Sequence, residues 1–197
     1  MSHVFVGGSR RIVQLAQPIT HRLDNIINSN FTVLVGDASG VDLQVQKYLF
    51  SKNYKNVIVF CTGNVCRNNV GKWKTRNVVT EMRSKGFHFY AVKDLQMAKE
   101  ATYGFMIWDA KSKGTLNNML NLLHRKKKIL VYFAPTQSFQ TVRTTDDLRT
   151  LLALCDQQDV EIFEKELTLQ QFFKTVQAQL DFNTLENRDD SEKVVMV

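Results

Sequence analysis

At 197 residues, with 44% hydrophobic and 23% charged residues, the chain is long enough for one α/β domain with a real core. No apolar run approaches the ~20 residues of a membrane span, and the start MSHVFVGGSR lacks a basic segment followed by a long apolar one. Membrane insertion and a secretory signal are therefore not expected, and the cytoplasm is the expected location. The net charge of +7 is uneven: residues 181–197 carry five acids against two cations, a net −3 that leaves +10 on residues 1–180. A basic body suits phosphate-bearing partners, from nucleotides to single strands, although a solvated basic face explains any single Lys or Arg equally well.

In chain order, His3–Val6 reads as a short strand, followed by the turn Gly7-Gly8-Ser9-Arg10. Ile12, Leu15, Ile19, Leu23, Ile26 and Ile27 recur at helical spacing, so an amphipathic helix is expected within 11–28, started or kinked by Pro18. Phe31–Val35 is a second buried strand, Gly36-Asp37-Ala38-Ser39-Gly40 a second tight turn, and Val41–Phe50 a helix. Asn56–Phe60 is a third strand, and 61–74 has no period and reads as a long loop. Thr75–Ser84 is expected to be helical, Phe87–Ala91 a fourth strand and Asp94–Ala101 a short helix. Tyr103–Trp108 is a buried strand that ends in the acid Asp109, and a polar turn leads to a helix opening at Gly114-Thr115. Arg125-Lys126-Lys127-Lys128 closes that helix, where cations suit the negative end of the dipole, and Ile129–Phe133 is a sixth strand.

Repeated strand–turn–helix units predict a Rossmann-like, doubly wound, mostly parallel sheet with helices on both faces and a C-terminal helical extension. The expected division is a Rossmann-like domain over 1–135, a helical extension packed on it over 136–180, and an acidic, flexible tail over 181–197. Within the extension, Thr144–Cys155 and Thr168–Leu180 read as helices, the latter with a Thr168/Gln171 capping box, and Val160–Phe163 reads as a small strand or edge.

The glycine turns carry the candidate chemistry. Gly7, Gly8, Gly36, Gly40 and Gly114 permit close approach of a ligand to the backbone, with ordinary turn geometry as the alternative. Ser9 and Arg10 suit a phosphate, and so do Ser112 and Thr115 at a helix start, where N-capping is the rival. Lys111 and Lys113 are further candidate phosphate contacts. Ser39 belongs to the second turn. Asp37, Asp42 and Asp109 suit ribose hydroxyls, against Asx-turn or helix-dipole roles. Arg76 and Asn77 suit a phosphate or base edge, and Trp108 offers a stacking face if it does not pack inward.

Cys61, Cys66 and Cys155 are too few and too unevenly spaced for a disulfide framework or a zinc site, so reduced, structurally incidental thiols are expected and no metal. His3, His21, His88 and His124 are scattered, and no G-x-S-x-G elbow occurs.

The turns GGSR (7–10), GDASGVD (36–42) and WDAKSKGT (108–115), with Thr75-Arg76-Asn77, resemble the SLOG superfamily, specifically its YspA/YpsA-related branch. That superfamily also holds the LOG phosphoribohydrolases and the DNA-processing protein DprA. The resemblance covers residues 3–133. It implies a Rossmann-like domain that binds nucleotides or nucleotide-derived ligands at the strand ends, as a sensor or an N-glycosidase, often as a homodimer or higher homo-oligomer. It implies no separate cofactor. In the phosphoribohydrolases a catalytic Glu follows the Gly-Thr turn, whereas Leu116, Asn117 and Asn118 stand here. An amide cannot exchange a proton as a carboxylate does, so any N-glycosidase would draw on Asp37, Asp42, Asp109 or Glu81. The expected function is binding of a nucleotide-derived small molecule. The alternatives are a nucleoside-phosphate N-glycosidase or base-transfer enzyme, and a single-stranded nucleic-acid binder like DprA.

Overall fold

The computed structural model describes residues 2–81 and 86–176, so the expected tail over 181–197 lies outside the described residues. The chain divides into two compact units, Met1–Cys155 and Asp156–Val197. The first contains one seven-stranded sheet. Its strands are β1 (His3–Gly8), β2 (Thr32–Gly36), β3 (Val57–Thr62), β4 (Lys74–Val78), β5 (Tyr103–Trp108), β6 (Lys128–Phe133) and β7 (Ser138–Val142). The order across the sheet is β4-β3-β2-β1-β5-β6-β7, parallel except for β7, which runs antiparallel to β6.

Helices α1 (Gln17–Asn28), α2 (Val41–Ser51), α3 (Phe87–Glu100), α4 (Lys113–Leu123) and α5 (Thr145–Leu152) complete this unit. Central strands of a parallel sheet are buried on both faces, which is why β2 and the run Gly104–Trp108 are buried throughout. Val4, Val6, Val33, Val35, Val57 and Val59 share one core cluster with Ile19, Leu23 and Ile26 of α1 and Val41, Val45 and Leu49 of α2. Alternation along the strands sends the intervening side chains, such as Phe5, Leu34 and Met106, to the opposite face, where α3 and α4 pack against each other and the sheet. The expected doubly wound α/β class is the class observed, and it ends in helices.

Four local expectations are corrected. Thr75–Ser84 is not a helix; its first part belongs to the edge strand β4. Four of that strand's five residues are exposed and it has no apolar face, so no strand period marks it, while Lys74 and Arg76 on an open edge suit its position. Phe87–Ala91 is not a strand but the start of α3, because aromatic residues of high β-propensity also space at 87, 90, 91 and 94 along one helix face. Val160–Phe163 lies inside helix α6 (Gln157–Leu167) of the second unit, which Asp156 caps by accepting from the Gln158 amide. Beyond a left-handed Thr168, that unit is again helical over 169–176. Finally, Cys61 and Cys66 are not free thiols: the chain folds back after β3, brings their Cα atoms to 5.1 Å and joins them as a disulfide. Cys155 is free and half-buried.

No described helix is long and apolar enough to cross a membrane. Among the described residues no cluster of His, Cys, Asp and Glu is arranged to hold a metal ion.

Candidate functional site at the C-terminal rim of the sheet

The strand order reverses between β1 and β5: the chain leaves β1 toward β2 on one side and leaves β5 toward β6 on the other. Turns that follow neighbouring strands at such a point diverge and leave a crevice beyond the carboxyl ends. Here the turns stay tied at their bases. The Ser9 amide donates to the Ile107 carbonyl at 3.0 Å, and the Val41 amide donates to the Ser9 carbonyl at 3.1 Å. Two glycines make this approach feasible. A Cβ on Gly8 would collide with the Ile107 carbonyl, and Gly40, at φ +73°, lies against the Arg10 backbone.

Above these contacts opens a cavity of about 590 Å³. Gly8, Ser9, Arg10 and Arg11 form one wall, Lys111, Ser112, Gly114, Thr115 and Asn118 a second, and Phe87, Tyr90, Lys93 and Asp94 of α3 a third. Asp42 of α2 closes the inner side with Ala38 and Phe5. Of the candidates drawn from sequence, the structure therefore brings Gly8, Ser9, Arg10, Asp42, Ser112, Gly114 and Thr115 together around one space. Gly7, Gly36, Asp37, Ser39, Gly40, Trp108 and Asp109 lie in the supporting strands and turns, off the cavity lining. Arg76 and Asn77 sit on β4, where Arg76 pairs with Glu100 at 3.4 Å and Asn77 donates to the Asn64 carbonyl. Glu81 is exposed and also lies off the lining.

The four candidate acids have distinct surroundings. Asp109 accepts from the Ser9 hydroxyl at 2.7 Å, from Arg11 Nε at 2.9 Å, and from the Lys111 and Ser112 amides at 3.1 and 2.8 Å. Partial burial pushes its carboxyl up, but these donors outweigh burial and hold it below the ordinary carboxylate range. It ties β1 to the turn after β5. Asp37 is 2% exposed and is gripped by Arg67 through Nη2 at 2.5 Å, Nε at 3.1 Å and the backbone amide at 3.0 Å. Burial again opposes ionisation, and Arg67 again prevails, so this carboxyl too is lowered. Glu81 stands in solvent. Asp42 is different: burial pushes it up to about 6, and the nearby Lys93 offsets only part of that.

Asp42 and Lys93 occupy the space where a side chain on Gly36 would sit, so this glycine makes room for a buried charge pair. Lys93 is 3% exposed and bonds Asp94 at 2.5 Å. Burial acts to lower its pKa, but the carboxylates of Asp94 and Asp42 reverse that and raise it, keeping the ammonium charged.

Ser112 caps α4 by accepting from the Thr115 amide at 3.3 Å and hydroxyl at 2.9 Å, so the capping and site roles fall on the same residue. Trp108 is fully buried against Phe133 and donates from Nε1 to the Ser112 carbonyl at 3.0 Å. It packs under the turn and presents no stacking face to the cavity. The aromatic surface comes instead from α3, held by cations. Arg67 lies 4.1 Å and Arg10 5.4 Å from the Tyr90 ring centre, and Lys113 lies 4.4 Å from that of Phe87.

Sequence reasoning missed Arg11, Phe87, Tyr90, Lys93 and Asp94 as wall residues. The 87/90/91/94 spacing was the available signal, hidden by the strand reading of FHFYA. Nothing local marks Lys93, whose burial depends on Gly36 and Asp42 from another part of the chain.

No protein-family model matches the chain, and no curated protein matches it. A search of solved structures finds DNA processing protein A from Helicobacter pylori, studied for its single-stranded DNA binding mode, with a TM-score of 0.51 at 15% sequence identity. The match covers 85% of this chain and 80% of that one. The likeness is one of fold. It places this chain among Rossmann-like α/β architectures of the DprA type.

Proposed function

We propose that the chain binds a nucleotide or nucleotide-derived small molecule in the rim cavity, as a sensor or sequestering protein. The observation that carries the reading is the combination, around one space of about 590 Å³, of exposed cations, a helix start and aromatic side chains. Arg10, Arg11 and Lys111 offer charge for phosphate, Ser112 and Gly114 a helix start, and Phe87 and Tyr90 a surface for a base. The resemblance of the three glycine turns to the SLOG superfamily supports the same ligand class, and a homodimer or higher homo-oligomer belongs to that reading. Titration calorimetry with a panel of nucleoside mono-, di- and triphosphates tests it. Stoichiometric binding of one member supports the proposal, and heat from none of them removes it.

A second reading, single-stranded nucleic-acid binding, is favoured by the fold shared with DNA processing protein A and by the +10 on residues 1–180. It predicts affinity that grows with oligonucleotide length and falls steeply with salt, whereas a mononucleotide pocket shows neither trend strongly. Cleavage of an N-glycosidic bond is a third reading. Among the four acids considered, Asp42 is the one at the cavity with a carboxyl raised toward neutrality. Steady release of free base from the same panel would support it.

A further inference from the structure

We propose that the cavity is polarised, receiving its ligand with the anionic group at the mouth and a hydroxyl or amine donor directed inward onto the Asn118 amide. The inference rests on the nucleotide reading and adds the orientation of the ligand. Arg10, Arg11 and Lys111 are exposed, whereas Ser9, Asp42, Lys93, Thr115 and Asn118 are each less than a tenth exposed. Free cations are therefore at the entrance. At depth the cation is Lys93, already engaged by Asp94 and flanked by Asp42. A phosphate driven inward meets two carboxylates, while a hydroxyl or amine meets acceptors.

Asn118 supplies the independent observation. It is 7% exposed, lines the cavity, and its Oδ1 is buried without a hydrogen-bond partner. Buried acceptors are ordinarily matched, and an unmatched one in a crevice calls for an explanation. The terminal torsion of an asparagine is broad and two-fold, so a half-turn presents Oδ1 to the cavity. A ligand donor arriving there makes the missing bond.

Two-dimensional NMR of the isotopically labelled chain, titrated separately with adenosine 5′-monophosphate, adenosine and inorganic phosphate, tests the orientation. Adenosine is expected to shift the Asn118 side-chain NH₂ resonances, phosphate the backbone amides of Ser112 to Gly114, and the monophosphate both sets. Asn118→Leu is expected to weaken adenosine about tenfold, the loss of one buried hydrogen bond, while weakening phosphate less than twofold. Should the variant not fold, the wild-type shifts decide. Phosphate acting mainly on Asn118, or a monophosphate that shifts the mouth and leaves Asn118 unmoved, overturns the orientation alone. If no probe shifts any cavity residue, the orientation and the nucleotide reading fall together.

Discussion

Asp37 and Asp42 lie five positions apart, are both buried, and are driven in opposite directions by their neighbours. For Asp42 the folded-state pKa of about 6 stands above the model value of 3.8, so the folded protein holds this proton more tightly than the unfolded chain. Its contribution is complete below pH ~4 and is lost as the pH rises through about 6, a change on the order of 3 kcal/mol. Melting curves across that window should show stability falling with pH in the wild type and a flattened profile in Asp42→Asn. A profile unchanged by the substitution would refute the assignment. Asp37 has the opposite sign: its lowered pKa stabilises above the unfolded value and that contribution disappears only in acid. Arg67→Ala leaves its carboxylate buried without its cation, and denaturant unfolding should show a loss of about 2–4 kcal/mol, scaled down from a fully buried pair because Arg67 is partly exposed.

At the scale of elements, the site is a set of strand ends joined by turns whose side chains serve the turns first. Asp109 accepts four hydrogen bonds from the first and fifth strand-to-helix turns, so Asp109→Asn should lower the melting temperature as well as disturb the cavity beside it. An unchanged melting temperature would show that those bonds are not held in solution. Gly40 joins the second turn to the first at a positive φ, with the Arg10 backbone in the way of any side chain. Gly40→Ala should therefore cost about 2–4 kcal/mol in denaturant unfolding, more than the strain of the left-handed conformation alone, because the two turns must also separate. A cost under ~1 kcal/mol would mean that the contact between them is loose.

For the whole molecule, charge and fold point to different tests. Deleting residues 181–197 raises the net charge from +7 to +10 without touching the cavity walls. If the chain binds single strands, fluorescence anisotropy with an oligothymidine series at low salt should show tighter binding after the deletion, while mononucleotide affinity stays within about twofold. Equal tightening of both would mean that charge alone governs recognition.

How much of this was legible beforehand follows from which interactions are local. The interior strands, the glycine turns after them and the doubly wound class could be read directly. A parallel strand buried on both faces needs an unbroken apolar run, and a turn that abuts another backbone needs glycine; both constraints act on neighbouring residues. Polar β4, the aromatic start of α3, the Cys61–Cys66 pairing and the burial of Lys93 could not be read that way. Each depends on what another part of the chain places beside it, and the same residues in another setting are a helix, a strand, two thiols or a solvated cation. Only the tertiary structure decided which acids are spent on the scaffold and which one faces the cavity, because a carboxyl's proton affinity is set by burial and by partners distant in sequence.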